Sequence, residues 1–270
     1  MALHLTLKTE PEVPLEAEAI APDRLAGLSE AEAAKLPILY GNREATLGDF
    51  FSVAGSANGE LRVTGDLSRV KLIGAGMAEG RLIIEGNAGL HLGSGMTGGE
   101  VLVEGDAGDW LGAEMSGGRI VVKGDAGHTV GSAYRGSRVG MRGGEVLVHG
   151  KAGNETGNAL RGGLIAIGGR AGDFTGVNMI SGTIVVLGEL GLRSGAGMKR
   201  GTIASMRAAE ILPTFSYACV YQPMFLRLYL QHLRGLGLPI EEAQITGRFR
   251  RWSGDSVEMN RGEILLLERG

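Results

Sequence analysis

A glycine pattern with a period of nineteen residues limits what this chain can fold into more than any other feature. Successive copies open at intervals of 19, 19, 26, 19, 19 and 19 residues, and a degenerate copy begins earlier, at Gly59. The regular copies open at Gly80, Gly99, Gly118, Gly144, Gly163, Gly182 and Gly201. Such self-similarity is typical of solenoids, in which each copy forms one coil and stacks on the next.

Each copy begins with a short strand pattern. The segments RLIIE at 81–85 and RIVVK at 119–123 are rich in β-branched residues and are bounded by glycine. No copy contains a helical pattern of ten residues, so neighbouring strands have to pair in parallel through non-helical crossovers. The sequence therefore predicts an all-β fold, a right-handed parallel β-helix of 19-residue G-x-x-G-x-x-x-G coils with short helical flanking segments.

The repeat also divides the chain. Residues 1–58 are predicted to form an N-terminal lead-in and cap, residues 59–206 the parallel β-helix, and residues 207–270 a C-terminal cap with one helix at 224–233. Caps are expected because the two ends of a β-helix otherwise leave strand edges unpaired. Within the lead-in, Ser29 and Glu32 have the spacing of a capping box at the start of a short helix.

The motif glycines are interpreted as structural. They either turn corners that need positive φ or let adjacent coils approach closely, and a phosphate site is not favoured because no helix follows the glycine loops. The glycines assigned this role are Gly86, Gly89, Gly93, Gly105, Gly108, Gly112, Gly124, Gly127, Gly131, Gly150, Gly153, Gly157, Gly169, Gly172, Gly176, Gly188, Gly191 and Gly195.

A ladder of large apolar residues recurs three positions before the opening glycines. We predict that these side chains stack inside the coils and fill the interior, rather than line a channel for a soft metal. The ladder consists of Met77, Met96, Met115, Met141, Leu160, Met179 and Met198.

Little in the sequence indicates chemistry. The net charge of −3 does not favour nucleic acid or an anionic membrane, and no apolar run is long enough to span a bilayer. One polar strip, made by Asp109, His128, Asn154 and Asp173 at the same position of successive coils, is the best catalytic candidate. A solvated surface is the favoured interpretation of that strip. Cys219 lies in the apolar segment SYACVY and is predicted to be a buried thiol.

We therefore expect no catalytic residue, no metal ligand and no cofactor on this chain, and a cytoplasmic location. The single cysteine excludes an internal disulfide, and the five histidines are scattered along the sequence.

Two features favour contact with another protein. The fourth coil carries a seven-residue insertion, SAYRGSR at 132–138, which is expected to bulge outward and to present Tyr134, Arg135 and Arg138. The opening strands also have an apolar outward row, which has to be covered by the chain's own tail or by another subunit, and Leu102 and Val121 are predicted to be contacts with a partner. The whole row is Ile83, Leu102, Val121, Leu147, Ala166, Val185 and Ala204.

The tandem glycine coils, the lead-in LPILYGN…TLGDFFSV and the tail from FSYACVYQP onward resemble the C subunit of formylmethanofuran dehydrogenases. The coils alone also resemble the C-terminal domain of the glutamate synthase large subunit. Within this superfamily the sequence is most similar to the C subunit of bacterial formyltransferase/hydrolase complexes.

That resemblance implies a role in one-carbon metabolism. The complex moves the formyl group of formyl-tetrahydromethanopterin to a methanofuran-type carrier and then releases formate, as in the formaldehyde oxidation of methylotrophs. The implied partners are a zinc-dependent hydrolase-like subunit, a formyltransferase subunit and a third, dehydrogenase-like subunit, and zinc and the carrier are expected on those chains. For the C subunit itself, the resemblance implies the role of a scaffold.

Three alternatives remain open from the sequence. The chain could be the C subunit of a formylmethanofuran dehydrogenase, or a stand-alone domain like that of glutamate synthase. It could also be a solitary β-helix enzyme acting on a polysaccharide, although the sequence contains neither a clustered set of acidic and basic residues nor a secretion signal.

Overall fold

The computed structural model describes residues 2–56 and 59–268. The strands are β1 (Leu3–Leu7), β2 (Leu15–Glu16), β3 (Pro37–Tyr40), β4 (Arg43–Thr46), β5 (Phe51–Ala54), β6 (Glu60–Thr64), β7 (Val70–Lys71), β8 (Arg81–Glu85), β9 (Glu100–Val103), β10 (Arg119–Val122), β11 (Glu145–Val148), β12 (Leu164–Ile167), β13 (Thr183–Val186), β14 (Arg200–Ser205), β15 (Ser216–Tyr221), β16 (Phe249–Gly254) and β17 (Arg261–Leu267). The helices are α1 (Pro22–Leu25), α2 (Glu30–Ala34), α3 (Leu47–Phe50), α4 (Met224–Gly235) and α5 (Glu242–Ile245).

One large sheet of 13 strands dominates the molecule, in the order β15-β16-β17-β14-β13-β12-β11-β10-β9-β8-β6-β1-β5. In this spatial order the strands from β17 to β1 pair in parallel, and in the described part of the chain the antiparallel pairs of this sheet lie toward its two ends, at β5 and at β15 and β16. The register aligns equivalent positions, so that Val101 pairs with Ile120 and Ile120 with Val146. The mostly β architecture with a large parallel sheet is the β-helix-like arrangement that the repeat predicts.

A second line of parallel bridges runs beside the large sheet. One residue of each copy forms a bridge to the equivalent residue of the next, and from Ala88 onward this residue immediately precedes the middle glycine of the motif. The bridged residues are Leu67, Ala88, Ala107, Ala126, Ala152, Ala171 and Leu190. The five middle residues of this line are alanines, whose small side chains allow close stacking, and the residues at its two ends are leucines.

The interior is filled as predicted. Every member of the methionine and leucine ladder is fully buried, at 0% exposure. These side chains pack with the inward residues of the large sheet, such as Val101 and Ile120, in one continuous apolar core. The prediction that the ladder fills the interior is confirmed.

The N-terminal residues are part of the same core. Strand β1 adds to the large sheet beside β6, and β2 and β3 join β4 and β7 in a smaller sheet of four strands. The capping box of α2 is confirmed, because Ser29 Oγ accepts from the Glu32 backbone N–H at 3.3 Å and the Glu32 carboxylate accepts from the Ser29 N–H at 2.9 Å.

The C-terminal residues close the other end of the sheet and return over its outer face. Strand β17 pairs in parallel with β14, and β16 and β15 extend the sheet antiparallel. The predicted helix is present as α4 and ends two residues later than expected, at Gly235. Its buried residues Leu226, Leu230 and Leu233 belong to a second apolar cluster on the outside of the sheet.

This second cluster corrects the prediction about the outward row. Val121 is only 8% exposed, and the four later members of the row are fully buried beneath the chain's own C-terminal residues. Leu102 is half-buried at the margin of the cluster. The prediction underestimated the cover because α4 is joined on this face by Leu238, Ile240 and further residues of the tail.

The prediction of a buried Cys219 thiol is wrong. Cys219 is exposed, because β15 is the last strand of the sheet and, among the described residues, no layer covers this side chain.

Among the described residues, no helix is long and apolar enough to cross a lipid bilayer.

Candidate interaction surfaces

The motif glycines of the structure fall into two geometric classes. The last glycine of each motif has positive φ; at Gly131, for example, φ is 65° and a Cβ atom would lie 2.6 Å from Ile165 Cδ1. The middle glycine lies against the preceding coil; a Cβ atom on Gly127 would lie 2.8 Å from the Asp109 backbone nitrogen. Positive φ and the close approach of the neighbouring coil therefore both favour glycine at these positions.

The side chains of the polar strip accept hydrogen bonds from backbone N–H groups of the next coil. Asp109 Oδ1 accepts from the His128 N–H at 2.7 Å, and His128 Nδ1 accepts from the Asn154 N–H at 2.9 Å. Asn154 Oδ1 in turn accepts from the Asp173 N–H at 3.0 Å, and Asp173 Oδ1 accepts from the Leu192 N–H at 2.9 Å. Each side chain therefore satisfies a backbone donor that the coil corner leaves without a strand partner.

A parallel ladder runs through the preceding polar position. Asn87 Oδ1 accepts from the Asp106 N–H, Asp106 Oδ1 from the Asp125 N–H, and Asp125 Oδ1 from the Lys151 N–H, at 2.7–2.9 Å. These carboxylates and amides hold the coils together, and within the described residues no group of three or more His, Cys, Asp or Glu side chains could hold a metal ion.

The insertion folds back over the coils instead of projecting outward at Tyr134. The Tyr134 hydroxyl lies 3.0 Å from His91 Nδ1, and its ring stacks on that of Trp110 with centroids 5.0 Å apart. Glu114 fixes the segment by accepting from the Tyr134 N–H at 3.0 Å. The expectation that all three predicted contacts face outward is corrected here: Tyr134 is half-buried, whereas Arg135 and Arg138 are exposed.

The same aromatic group forms one wall of an open cleft of about 470 Å³ between the N-terminal residues and the early coils. Burial, together with the positive charge of Lys71, lowers the pKa of His91, and burial raises the pKa of Tyr134. Glu16 and Lys71, which also line the cleft, are 4.0 Å apart and face each other as a loose ion pair. The cleft is thus electrically balanced by its own side chains.

A ladder of alternating charge, which the sequence reasoning missed, runs along the outer face of the early coils. Glu100 lies between Arg81 at 3.5 Å and Arg119 at 3.6 Å, and Glu145 accepts from Arg119 Nε at 2.9 Å. The ladder ends on the helix α4, where His232 Nε2 lies 2.7 Å from Glu145 Oε1. The alternation of Glu and Arg at the first position of successive strands could have predicted it.

The sequence reasoning also missed the outer side of α4. Met224, Phe225, Leu228 and Tyr229 are exposed, although the opposite side of the same helix is fully buried. The segment MFLRLYLQHL contains apolar residues at positions that cannot all lie on one side of a helix. That pattern could have predicted an exposed apolar side.

Comparison with known proteins gives the class to which these coils belong. A profile of the GXGXG motif family matches residues 74–211, which is half of the chain. The chain belongs to this family of glycine-coil proteins.

Curated proteins similar to this chain include C subunits of formylmethanofuran dehydrogenases and of a formyltransferase/hydrolase complex. The C subunit of the molybdenum-containing formylmethanofuran dehydrogenase 1 of Methanothermobacter thermautotrophicus is 44% identical over 94 residues, which is 34% of this chain and 24% of that protein. The C subunit of the formyltransferase/hydrolase complex of Methylorubrum extorquens is 40% identical over 73 residues, which is 27% of this chain and 28% of that protein. The match therefore spans only about a quarter of the length of these curated relatives.

The similarity to a solved structure covers far more. A chain in the crystal structure of the formyltransferase/hydrolase complex from Methylorubrum extorquens, determined in complex with methylofuran, superimposes with a TM-score of 0.92 at 36% sequence identity. The superposition covers 98% of this chain and 100% of that chain. The relationship thus extends over the flanking residues as well as the coils.

Proposed function

We propose that this chain is a non-catalytic scaffold subunit of a formyltransferase/hydrolase complex. Such a complex would transfer the formyl group of formyl-tetrahydromethanopterin to a methanofuran-type carrier and then release formate. The observation that carries the proposal is the superposition over 98% of the chain, at 36% identity, on a chain of a formyltransferase/hydrolase complex.

The use of polar side chains supports the scaffold role. Asp109, His128, Asn154 and Asp173, which are the best catalytic candidates of the sequence, are engaged with backbone N–H groups of the next coil. A right-handed stack of 19-residue coils, closed by residues 1–58 and 207–270, would give a rigid rod. Such a rod is suited to holding other chains at fixed separations.

The proposed partners are a zinc-dependent hydrolase-like subunit, a formyltransferase subunit and a third, dehydrogenase-like subunit. Zinc and the methanofuran-type carrier are proposed to reside on those chains. Arg135 and Arg138 remain candidate contacts because both are exposed, and Leu102 remains one because it is half-buried at the margin of the outer cluster. Val121 is not a candidate contact, because the chain's own residues bury it.

A second candidate is the C subunit of a formylmethanofuran dehydrogenase. It rests on the 44% identity to the molybdenum-containing enzyme over 34% of this chain, and it is the less favoured candidate because the superposition on a chain of the formyltransferase/hydrolase complex covers 98% of this chain. The two candidates differ in the reaction that the partner chains catalyse. In both, this chain would be the C subunit that holds those chains together.

Reconstitution of the complex from separately purified chains tests the proposal. We expect the chain alone to show no formyltransferase, hydrolase or dehydrogenase turnover, and its addition to the proposed partners to restore conversion of formyl-tetrahydromethanopterin to formate. Turnover by the pure, metal-free chain would contradict the scaffold role. Restoration of formylmethanofuran oxidation instead of formate release would favour the second candidate.

A further inference from the structure

The helix α4 is apolar on two sides, and only one of them is used within this chain. Leu226, Leu230 and Leu233 are fully buried against the outer face of the large sheet. On the other side, Leu228 is 68% exposed and Met224 is 64% exposed. Of the large apolar side chains described, only Val257 is more exposed than these two.

The exposed side chains form a strip suited to contact with another helix. Met224, Leu228 and His232 are spaced four residues apart, and Phe225 and Tyr229 form a parallel row with the same spacing. Side chains with this spacing lie along one side of a helix, and this exposed side extends over about 12 Å from Met224 to His232. Rows of this kind are the ridges that pack into the grooves of a facing helix.

The charged residues around the strip indicate the charge of the surface that would bind there. Residues 216–235 contain Arg227, His232 and Arg234, and they contain no aspartate or glutamate. Arg234 is paired with Glu242 at 2.8 Å and His232 Nε2 lies 2.7 Å from Glu145 Oε1, whereas Arg227 forms no ion pair with any residue that the structure describes. Two copies of this surface would bring two Arg227 side chains together and repel each other, and a surface that carries carboxylates would be attracted to Arg227.

We propose that this side of α4 is a docking surface for an amphipathic helix of another chain, whose facing side carries aliphatic residues and carboxylates. We define the α4 strip as Met224, Phe225, Leu228 and Tyr229. The proposal rests on the proposed function and deepens it, because it names the surface through which this subunit enters the complex. The buried side of the same helix anchors the strip to the rod, so the docked chain would be held at a fixed position along the coils.

Substitutions of opposite charge at one exposed position test both the location of the docking surface and the acidic character of its partner. The variants are Leu228→Glu and Leu228→Lys, with Val257→Glu and Val257→Lys as matched controls at another exposed apolar residue. Each variant is co-expressed with the proposed partner chains of its own source organism, and the dissociation constant of the purified assembly is measured by titration. Circular dichroism of each isolated variant checks that the fold is retained, as expected for a side chain that makes few contacts.

We expect Leu228→Glu to weaken assembly about 10-fold or more beyond Leu228→Lys, because only the glutamate faces like charge. Both Val257 variants are expected to assemble like the wild type. Assembly of Leu228→Glu with unchanged affinity would overturn the proposed surface, and equal weakening by both Leu228 variants would overturn an acidic partner. If the wild-type chain itself forms no complex, the proposed function fails together with the docking surface, so the two failures are distinguishable.

Discussion

Single residues hold the coils of this molecule at fixed separations in two ways. Glycine removes side chains where one coil touches the next, as at Gly127. Short polar side chains such as Asp109 and Asn154 reach across to backbone donors of the next coil. The polar strip therefore has a structural reason to recur, and its recurrence alone does not indicate a catalytic site.

Replacement of Gly127 by alanine tests the close approach between coils. A Cβ atom there would lie 2.8 Å from the Asp109 backbone nitrogen and 3.0 Å from the Gly108 carbonyl carbon, so the two coils would have to separate. We expect Gly127→Ala to lower the free energy of unfolding by about 1–3 kcal/mol. Gly235→Ala is the matched control, because a Cβ atom at Gly235 meets nothing within 4 Å. Urea unfolding curves of the two variants that coincide would contradict this account of the glycines.

His149 gives the fold a dependence on pH. Its Nε2 atom is buried and has no hydrogen-bond partner among the described residues, and burial, with Lys123 nearby, lowers its pKa from 6.5. A histidine whose pKa is lower in the folded state contributes stability above its unfolded pKa, and that contribution is lost as the pH falls from 6.5 toward the folded value. The wild type should therefore lose stability on acidification through this range.

The variant His149→Leu isolates that contribution. Leucine occupies the equivalent position two coils later, at Leu187, where it is buried beneath the same C-terminal residues. We expect the free energy of unfolding of His149→Leu to fall less than that of the wild type between pH 7.5 and pH 5, roughly the range in which histidines titrate. Equal losses in the two proteins, measured by urea denaturation, would exclude His149 as a source of the pH dependence.

At the scale of secondary-structure elements, α4 joins the solenoid to its surface. It covers the outward row of the later coils, and the His232–Glu145 contact at 2.7 Å ties it to the charge ladder of the earlier coils. The residues that flank the outward row differ between the early coils and the later coils. Leu102 lies between Glu100 and Glu104, which can remain in water, whereas the residues two positions on either side of Val185, Thr183 and Leu187, are both buried.

The two sides of α4 should respond differently to truncation. Leu230→Ala removes a fully buried side chain and should lower the free energy of unfolding by about 2–5 kcal/mol. Leu228→Ala removes a side chain that is 68% exposed and should change it by less than about 0.5 kcal/mol. Thermal denaturation of both variants is the measurement, and a loss at Leu228 as large as that at Leu230 would mean that the α4 strip is covered within this chain.

Much of the fold was predictable because the repeat fixes it locally. The period of 19 residues predicts which strands pair, and the inward positions follow from alternation within each strand. The cover over the outward row was not predictable in the same way, because it depends on how residues distant in sequence pack. Cys219 illustrates the limit: its apolar neighbours in SYACVY indicate burial, yet β15 lies at the end of the sheet.

The candidate interaction surface was predicted only in part for the same reason. The insertion at 132–138 was recognised from the break in the repeat, but Tyr134 turns back because His91 and Trp110 of earlier coils offer it a hydrogen bond and a stacked ring. The outer side of α4 was missed because both sides of the helix are apolar, and the sequence does not say which side faces the sheet.

At the scale of the whole molecule, the chain is one continuous apolar core along a stack of coils, with a second apolar cluster on its outside. Seven copies of the repeat, stacked at the usual spacing of strands, would extend over about 34 Å. A rod of this length has room for more than one partner along its sides. The account of a scaffold therefore makes a claim about assembly that can be tested without any assay of activity.

Affinity purification of this chain from its source organism tests that claim most directly. A tagged copy is expressed at its natural level, purified under mild conditions, and the accompanying chains are identified by mass spectrometry, with a tagged unrelated protein as the control. We predict co-purification of a zinc-dependent hydrolase-like chain, a formyltransferase chain and a dehydrogenase-like chain in constant ratios. Recovery of the chain alone, or with the glutaminase and synthase units of a glutamate synthase, would contradict the account.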